Sequence, residues 1–118
     1  MKKILVVDDD LDILTLVKMT LKMNGFAVEA ISRWQEIDNK IQEDKPDLII
    51  LDISLGGADG REICMHLKEA NDTKDIPVIL FSAHADMGES IQSCKAQAFI
   101  AKPYELSHFL RTIRTFVN

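Results

Sequence analysis

The stretch DLIILDISLGGADG, residues 47–60, decides how the chain folds. Leu48, Ile49, Ile50 and Leu51 form an unbroken apolar run. A short run of this kind reads as a strand buried on both faces. An acid, Asp52, stands where the run ends, and small residues follow it. A carboxylate at the end of a buried strand is costly unless something pairs with it.

Outward from this stretch the pattern alternates between strands and helices. KILVV, within residues 2–7, is a second continuous apolar strand. Asp9 or Asp10 can cap the helix after it, which carries Leu14, Val17 and Leu21 on one face and stops at NGF, with Gly25 in the left-handed position. FAVEA, from Phe26, alternates and reads as a strand with one more exposed face. Ser32 with Gln35 resembles a capping box, and Trp34, Ile37 and Ile41 supply the stripe of the helix it opens. Pro46 leads into the strand 48–51.

Beyond the small-residue loop, Asp59 and Glu62 repeat the capping-box spacing, and Ile63, Leu67 and Ala70 form the inner face of a third helix. PVILF, residues 77–81, is a fourth strand. Met87, Ile91 and Cys94 lie at helical spacing within residues 86–94. Gly88 costs that helix about 1 kcal/mol relative to Ala, which makes it the least stable of the set. AFIA, residues 98–101, is a fifth strand, and a last helix carries Leu106, Phe109, Leu110, Ile113 and Val117 on one face.

Five strands alternating with five helices, three of the strands continuously apolar, predict an α/β fold with a parallel sheet covered on both faces. Right-handed crossovers make it a doubly wound sheet. The 118 residues suffice for one domain, 1–118, with a real core. The net charge of −5 argues against the basic footprint of a nucleic-acid-binding domain and gives no reason to expect an anionic membrane partner. No apolar run approaches the roughly 20 residues of a membrane span, and MKKILVVDDD is not a signal peptide, because three acids follow its short apolar run. Cys64 and Cys94 read as buried reduced thiols of a cytosolic protein rather than a bridge. His66, His84 and His108 lack the spacing of a zinc site.

In doubly wound sheets the site lies outside the carboxyl ends of the strands. Strand one ends in Asp8 and Asp9, strand three in Asp52, strand four in Ser82 and strand five in Lys102, followed by Pro103. Strand two ends in Ala30 and Ile31, which carry no chemistry. Two like charges 4 Å apart cost ~4 kcal/mol at an effective dielectric of 20. Either some of these carboxylates protonate or a cation sits among them. Hard carboxylate oxygens with room for water suit Mg²⁺. Lys102 adds a mobile positive charge and Ser82 a hydroxyl donor. Together these groups fit a phosphoryl group, with one carboxylate as nucleophile. Acids after strand one could instead cap the first helix and complement its dipole, but five such residues, each at a carboxyl end, are not explained by capping.

VVDDD, LDISLGGADG, VILFSA and AFIAKPY, in that order, resemble the receiver domain of two-component response regulators over essentially the whole chain. The resemblance implies a flavodoxin-like (βα)5 fold with strand order 2-1-3-4-5. It implies that Asp52 accepts a phosphoryl group from a histidine kinase or a histidine phosphotransferase. It assigns Mg²⁺, with Mn²⁺ as the alternative, to Asp8 and Asp9 together with Asp52 and the backbone carbonyl of Ser54; Asp9 is the direct ligand and Asp8 acts largely through water. Ser82 would bind a phosphoryl oxygen and move on activation, and Phe99 would reorient inward as it does. Lys102 would pair with the acceptor and then with the phosphoryl group, and the Lys102–Pro103 bond is commonly cis in such domains. The switch would alter the surface of the fourth helix, fifth strand and fifth helix, through which a homodimer can form. The implied protein is a cytoplasmic phosphoacceptor rather than an enzyme, catalysing only its own phosphorylation and dephosphorylation. It would act on a downstream protein partner or through an output domain beyond Val117.

Two positions depart from the family pattern. Gly56 stands where such domains usually carry Pro, and Lys95 where they usually carry a small residue, often Gly. Ser54 and His84 occupy positions that tune phosphoryl lifetime. Rival readings fit less well. A phosphohydrolase resembling the haloacid dehalogenases would carry a second Asp two residues after the nucleophile, where Ser54 stands. A flavin carrier needs a Ser/Thr/Gly-rich phosphate loop after strand one, and DDDLDIL would repel a phosphate. A receiver-like scaffold with a dead site would lack part of the set, whereas Asp8, Asp9, Asp52, Ser82 and Lys102 are all present.

Overall fold

The computed structural model describes residues 1–82 and 94–117. In chain order the elements are β1 (Lys3–Val7), α1 (Leu11–Met23), β2 (Ala27–Ile31), a 3-10 turn (Trp34–Glu36), α2 (Ile37–Glu43), β3 (Leu48–Asp52), α3 (Gly60–Glu69), β4 (Val78–Ser82), β5 (Ala98–Ala101) and α4 (Leu106–Phe116). The strands form one sheet in the order β2-β1-β3-β4-β5, every pair parallel. This is the doubly wound arrangement that the alternation predicts. The helix expected around Met87, Gly88 and Ile91 lies outside the described residues, as does His84.

Each strand sends alternate residues to opposite faces. Ile4, Val6, Leu48, Ile50, Ile79, Phe81 and Ile100 pack beneath α1 and α4, against Leu14, Val17, Leu21, Phe109, Ile113 and Val117. Leu5, Val7, Ile49, Leu51, Val78 and Leu80 face the other way, against Ile37 and Ile41 of α2 and Cys64 and Leu67 of α3. All five residues of β3 are buried, because helices cover both of its sides. At roughly 1.5–3 kcal/mol per fully buried aliphatic side chain, β3 anchors the core. β2 is an edge strand and mostly half-buried, as its alternating pattern predicts.

Local signals settle most helix ends. Asp10, rather than Asp9, caps α1: its carboxylate accepts from the amides of Asp12 and Ile13 at 3.0 and 3.2 Å. The helix closes as a Schellman motif, with Phe26 N–H donating to Leu21 O and Gly25 N–H to Lys22 O. Asp59 caps α3, but its partner is Arg61 rather than Glu62. The Arg61 amide donates to Asp59 Oδ1 at 2.9 Å and its guanidinium pairs with the same carboxylate.

Three expectations need correction. No capping box forms at Ser32 and Gln35. The chain instead makes a 3-10 turn that starts from Arg33, in which the Glu36 amide donates to Arg33 O and no side chain caps the turn. The regular helix starts only at Ile37, and Trp34 sits at its rim, 36% exposed, instead of in the stripe with buried Ile37 and Ile41. On α3, Leu67 is buried as expected, together with Cys64, and Ile63 packs half-buried against the same cluster, whereas Ala70 lies just past the end of the helix. On α4, Leu106 is 52% exposed, at the first position of the helix and a full turn before buried Phe109.

The two cysteines are free and buried. Cys64 Sγ donates to Cys94 O at 3.4 Å. Burial, followed by the neighbouring Cys94, pushes the Cys64 thiol up to about 12, which keeps it protonated.

Candidate functional site

At the carboxyl edge of the sheet the apolar rows give way to charge. The pairing of Val7 with Leu51 brings Asp8, just past β1, beside Asp52, the last residue of β3. Asp8 is 0% exposed and Asp52 6%. Asp8 Oδ1 accepts from the Asp10 amide at 2.9 Å, which fixes one side of the carboxylate. Its Oδ2 lies 2.9 Å from Lys102 Nζ, and the same ammonium lies 3.3 Å from Asp52 Oδ2. Asp52 Oδ1 accepts from the Ser54 amide at 3.3 Å. The ammonium therefore bridges two buried carboxylates, and the Lys102 side chain is itself only 15% exposed.

Among the described residues the balance of charge here is short by at least one positive group. Asp8, Asp9 and Asp52 each offer an oxygen within 4.8 Å of the others, and Lys102 is the cation that contacts two of them. Burial, and then the Asp8 carboxylate, push the Asp52 carboxyl up to about 6, against the pull of Lys102. Burial opposes the charge on Lys102, but hydrogen bonding to Asp8 and the attraction of Asp52 outweigh it and raise its pKa. A donor set of carboxylate oxygens alone, with Asp9 exposed to solvent, fits a hard divalent cation that keeps some of its water.

The loop after Asp52 is shaped by backbone rather than side chains. Ser54 bridges to Asp59, and Leu55 and Ala58 exchange amide hydrogen bonds at 3.1 and 3.2 Å. A Cβ on Gly60 would stand 2.1 Å from the carbonyl oxygen of Asp52, so only glycine lets the start of α3 sit this close to the strand end. Gly56 has φ +40°, and a Cβ there would meet Asp9 Oδ2 at 3.3 Å. Proline, held near φ −65°, does not fit this backbone. A proline at position 56 would therefore require another loop conformation.

Four of the residues singled out from the sequence, Asp8, Asp9, Asp52 and Lys102, come together in space. Ser82 ends β4 on the neighbouring strand and is buried; its carbonyl accepts from the Lys102 amide at 2.7 Å. Ser54 is exposed in the loop. Phe99 lies within β5, half-buried, against the cluster that faces α2 and α3. The Lys102–Pro103 peptide is cis. Lys95 adopts φ +65°, the left-handed conformation that a glycine would take more readily.

Two aromatic residues escaped the sequence reading. Lys102 Nζ lies over the ring of Phe81, 5.4 Å from its centroid, and Tyr104 stacks on that ring. The signal was an aromatic residue just before Ser82, on the same face of the sheet as Asp52.

The sequence profile of the "Response regulator receiver domain" matches residues 4–114. Among curated proteins, the phosphate regulon transcriptional regulatory protein PhoB of Rhizobium meliloti is 30% identical over 118 residues, covering 98% of this chain and 52% of that protein. Response regulator MprA of Mycolicibacterium vanbaalenii is 31% identical, covering 98% and 50%. The chain spans about half the length of these curated relatives. Among solved structures, the chemotaxis response regulator CheY4 of Vibrio cholerae shares the fold with a TM-score of 0.90, at 24% identity and 99% coverage of both chains. Response regulator TrrA of Thermotoga maritima, solved in complex with Mg²⁺-BeF, superposes with a TM-score of 0.89 at 27% identity, covering 99% of this chain and 100% of that one.

Proposed function

The chain belongs to the response regulator receiver domain family of two-component signalling, and we propose that its switch is thrown by phosphorylation of Asp52. The observation that carries this reading is the Lys102 ammonium bridging buried Asp8 and Asp52, with Asp9 completing the acidic trio. Among the described residues no helix is long and apolar enough to cross a membrane.

In the proposed reaction a carboxylate oxygen of Asp52 attacks the phosphorus of a phosphohistidine in line with the scissile bond. The P–N bond breaks, the imidazole nitrogen leaves with the electron pair, and Asp52 becomes an acyl phosphate. Such transfer needs positioning and charge neutralisation more than covalent help. Lys102 is within reach to move from Asp52 to the incoming oxygens while keeping Asp8. Asp8, Asp9, Asp52 and the carbonyl of Ser54 would hold Mg²⁺, or Mn²⁺ in its place. When bound, the ion supplies charge that offsets the equatorial oxygens. Ser82 would donate its hydroxyl to the product, and Phe99 would turn inward as Ser82 shifts. The changed surface would comprise β5, α4 and the segment before β5, and serve a downstream partner, an output domain or a second copy of the chain. The whole of 1–118 acts as one cytoplasmic receiver, phosphorylated by a histidine kinase or histidine phosphotransferase, with no turnover beyond its own phosphorylation and dephosphorylation.

Incubation with acetyl phosphate and Mg²⁺, followed by intact mass, tests the reading. The native chain should gain one phosphoryl group with Mg²⁺ and none when EDTA is present from the start, and Asp52→Asn should gain none in either case. A hydroxylamine-labile phosphoryl group on Asp52→Asn would reassign the acceptor.

A further inference from the structure

Lys102 starts at the end of β5 and its ammonium ends between Asp52 of β3 and Asp8 beside β1. It must therefore cross β4, which lies between them. Adjacent strands stand about 4.8 Å apart, so the crossing uses most of the lysine stem. What β4 presents at the crossing is Phe81. Phe81 is the register partner of Asp52 and shares its face of the sheet with Ile79. The ammonium lies 5.4 Å from the ring centroid, inside the roughly 6 Å within which a ring face attracts a cation.

The ring is itself held. Tyr104, two residues beyond Lys102, stacks on it at 5.5 Å and 14°. Phe109 of α4 stacks on it at 5.6 Å and 19°, and on Tyr104 at 4.7 Å and 29°. Three rings from β4, the loop after β5 and α4 thus pack as one cluster, each against the other two, with the Phe81 ring under the ammonium. An aliphatic residue at position 81 would fill volume, but it has no negative face to offer a cation.

We propose that Phe81 is a positioning residue for Lys102: its ring, backed by Tyr104 and Phe109, is the floor across which the lysine reaches both carboxylates. The cluster also ties α4 to the site, because any shift of Phe109 is felt by the ring beneath Lys102. The competing account is that Asp8 and Asp52 alone hold the lysine in place.

The kinetic arm of the test rests on the phosphoacceptor reading above; the spectroscopic arm does not. In the metal-free, unphosphorylated protein, the Lys102 ε-methylene signals, assigned by their loss in Lys102→Arg, should be displaced upfield by the Phe81 ring current. Direct loss of that displacement in Phe81→Leu only locates the ring, so the deciding variants are at Tyr104, which stacks on it. Tyr104→Leu should diminish the displacement although Phe81 is intact, and Tyr104→Phe should preserve it. Phosphorylation by acetyl phosphate should fall about tenfold in Phe81→Leu and about threefold in Tyr104→Leu, with Tyr104→Phe close to native. An unperturbed lysine signal in Tyr104→Leu, together with native phosphorylation in both leucine variants, would overturn the proposal. Should Phe81→Leu fail to fold, the half-buried Tyr104 pair decides alone. If the native chain takes no phosphoryl group, the acceptor reading fails while the lysine signals still report on Phe81.

Discussion

The middle of β3 and its carboxyl end are equally buried and opposite in character. Ile49, Ile50 and Leu51 have no exposed surface, and Asp52, one residue on, has almost none. The first three lie between two apolar layers. The fourth lies beside a second buried carboxylate and a lysine. The same burial that stabilises the fold at the middle raises the free energy of the charged site at the edge. A receiver tolerates that because the middle of the sheet is close-packed and the unfavourable charge is confined to one rim.

The largest effect should come from breaking the middle. Ile50 has no exposed surface and faces the cluster under α1 and α4. Ile50→Ala should cost about 3–4 kcal/mol in a urea titration, from lost burial and the cavity left behind. The site at the edge is built from other residues, so the folded fraction should still accept a phosphoryl group. Loss of less than about 1 kcal/mol would mean that the sheet collapses around the cavity and the middle is less rigid than the contrast requires.

Removing the charge at the edge should act in the other direction. Asp52 is pushed up to about 6, first by burial and then by Asp8, whereas an unfolded aspartate titrates near 3.9. Between these values the folded chain binds more protons than the unfolded one, so the Asp52 contribution to stability falls as pH rises from about 4 to about 6. Above that window its cost is present in full. Asp52→Asn removes the cost and also forfeits the pairing with Lys102. A net gain of about 2 kcal/mol near neutral pH in EDTA is expected. The gain should shrink as pH falls through the same window, where the native carboxyl takes up its proton. A variant that melts below the native protein at neutral pH would mean that Lys102 overcompensates the repulsion, and the edge would then be a source of stability.

The same contrast explains which features the sequence makes legible. The middle is legible because continuous apolar runs specify buried parallel strands, and the strand ends then follow from the runs alone. Asp8, Asp52 and Lys102 are found in this way, since only their position at a carboxyl end matters. Ser32 and Gln35 mislead because a capping box depends on backbone torsions, and here the chain enters a 3-10 turn from Arg33 instead. Leu106 fits the spacing of its helix but stands exposed at its first position, which spacing does not reveal. Phe81 is invisible as part of the site because its place under Lys102 depends on which strand lies between β3 and β5 and on the register of both.

A smaller effect is expected where the loop meets the acidic trio. Gly56→Pro demands φ near −65° where this loop has +40°. The variant should lose about 1–2 kcal/mol of stability, because the loop has to rearrange. Asp9 should shift with it, so calorimetry should show weaker Mg²⁺ binding. Unchanged stability with tighter binding would mean that the loop adopts the proline-bearing form freely and that Gly56 merely relaxes it.

The smallest effect tests the far side of the same sheet. Lys95 is exposed and holds φ +65°. Its neighbours leave it little choice. Cys94 is buried and bound through its carbonyl by the Cys64 thiol. Gln97 donates its amide to Val78 O and accepts from the Val78 amide, which sets the register of β5 on β4. The chain must reverse between these anchors, and the left-handed residue is where it does so. A side chain in that conformation costs about 1 kcal/mol, and glycine returns part of the relief through its greater freedom in the unfolded chain. Lys95→Gly should therefore raise stability by about 0.5 kcal/mol, seen as a small upward shift of the urea midpoint. Phosphorylation should not change, because the turn lies at the amino end of β5, and the strand separates it from Lys102. A loss of stability would mean that the lysine side chain stabilises the turn through its own contacts rather than merely tolerating its backbone.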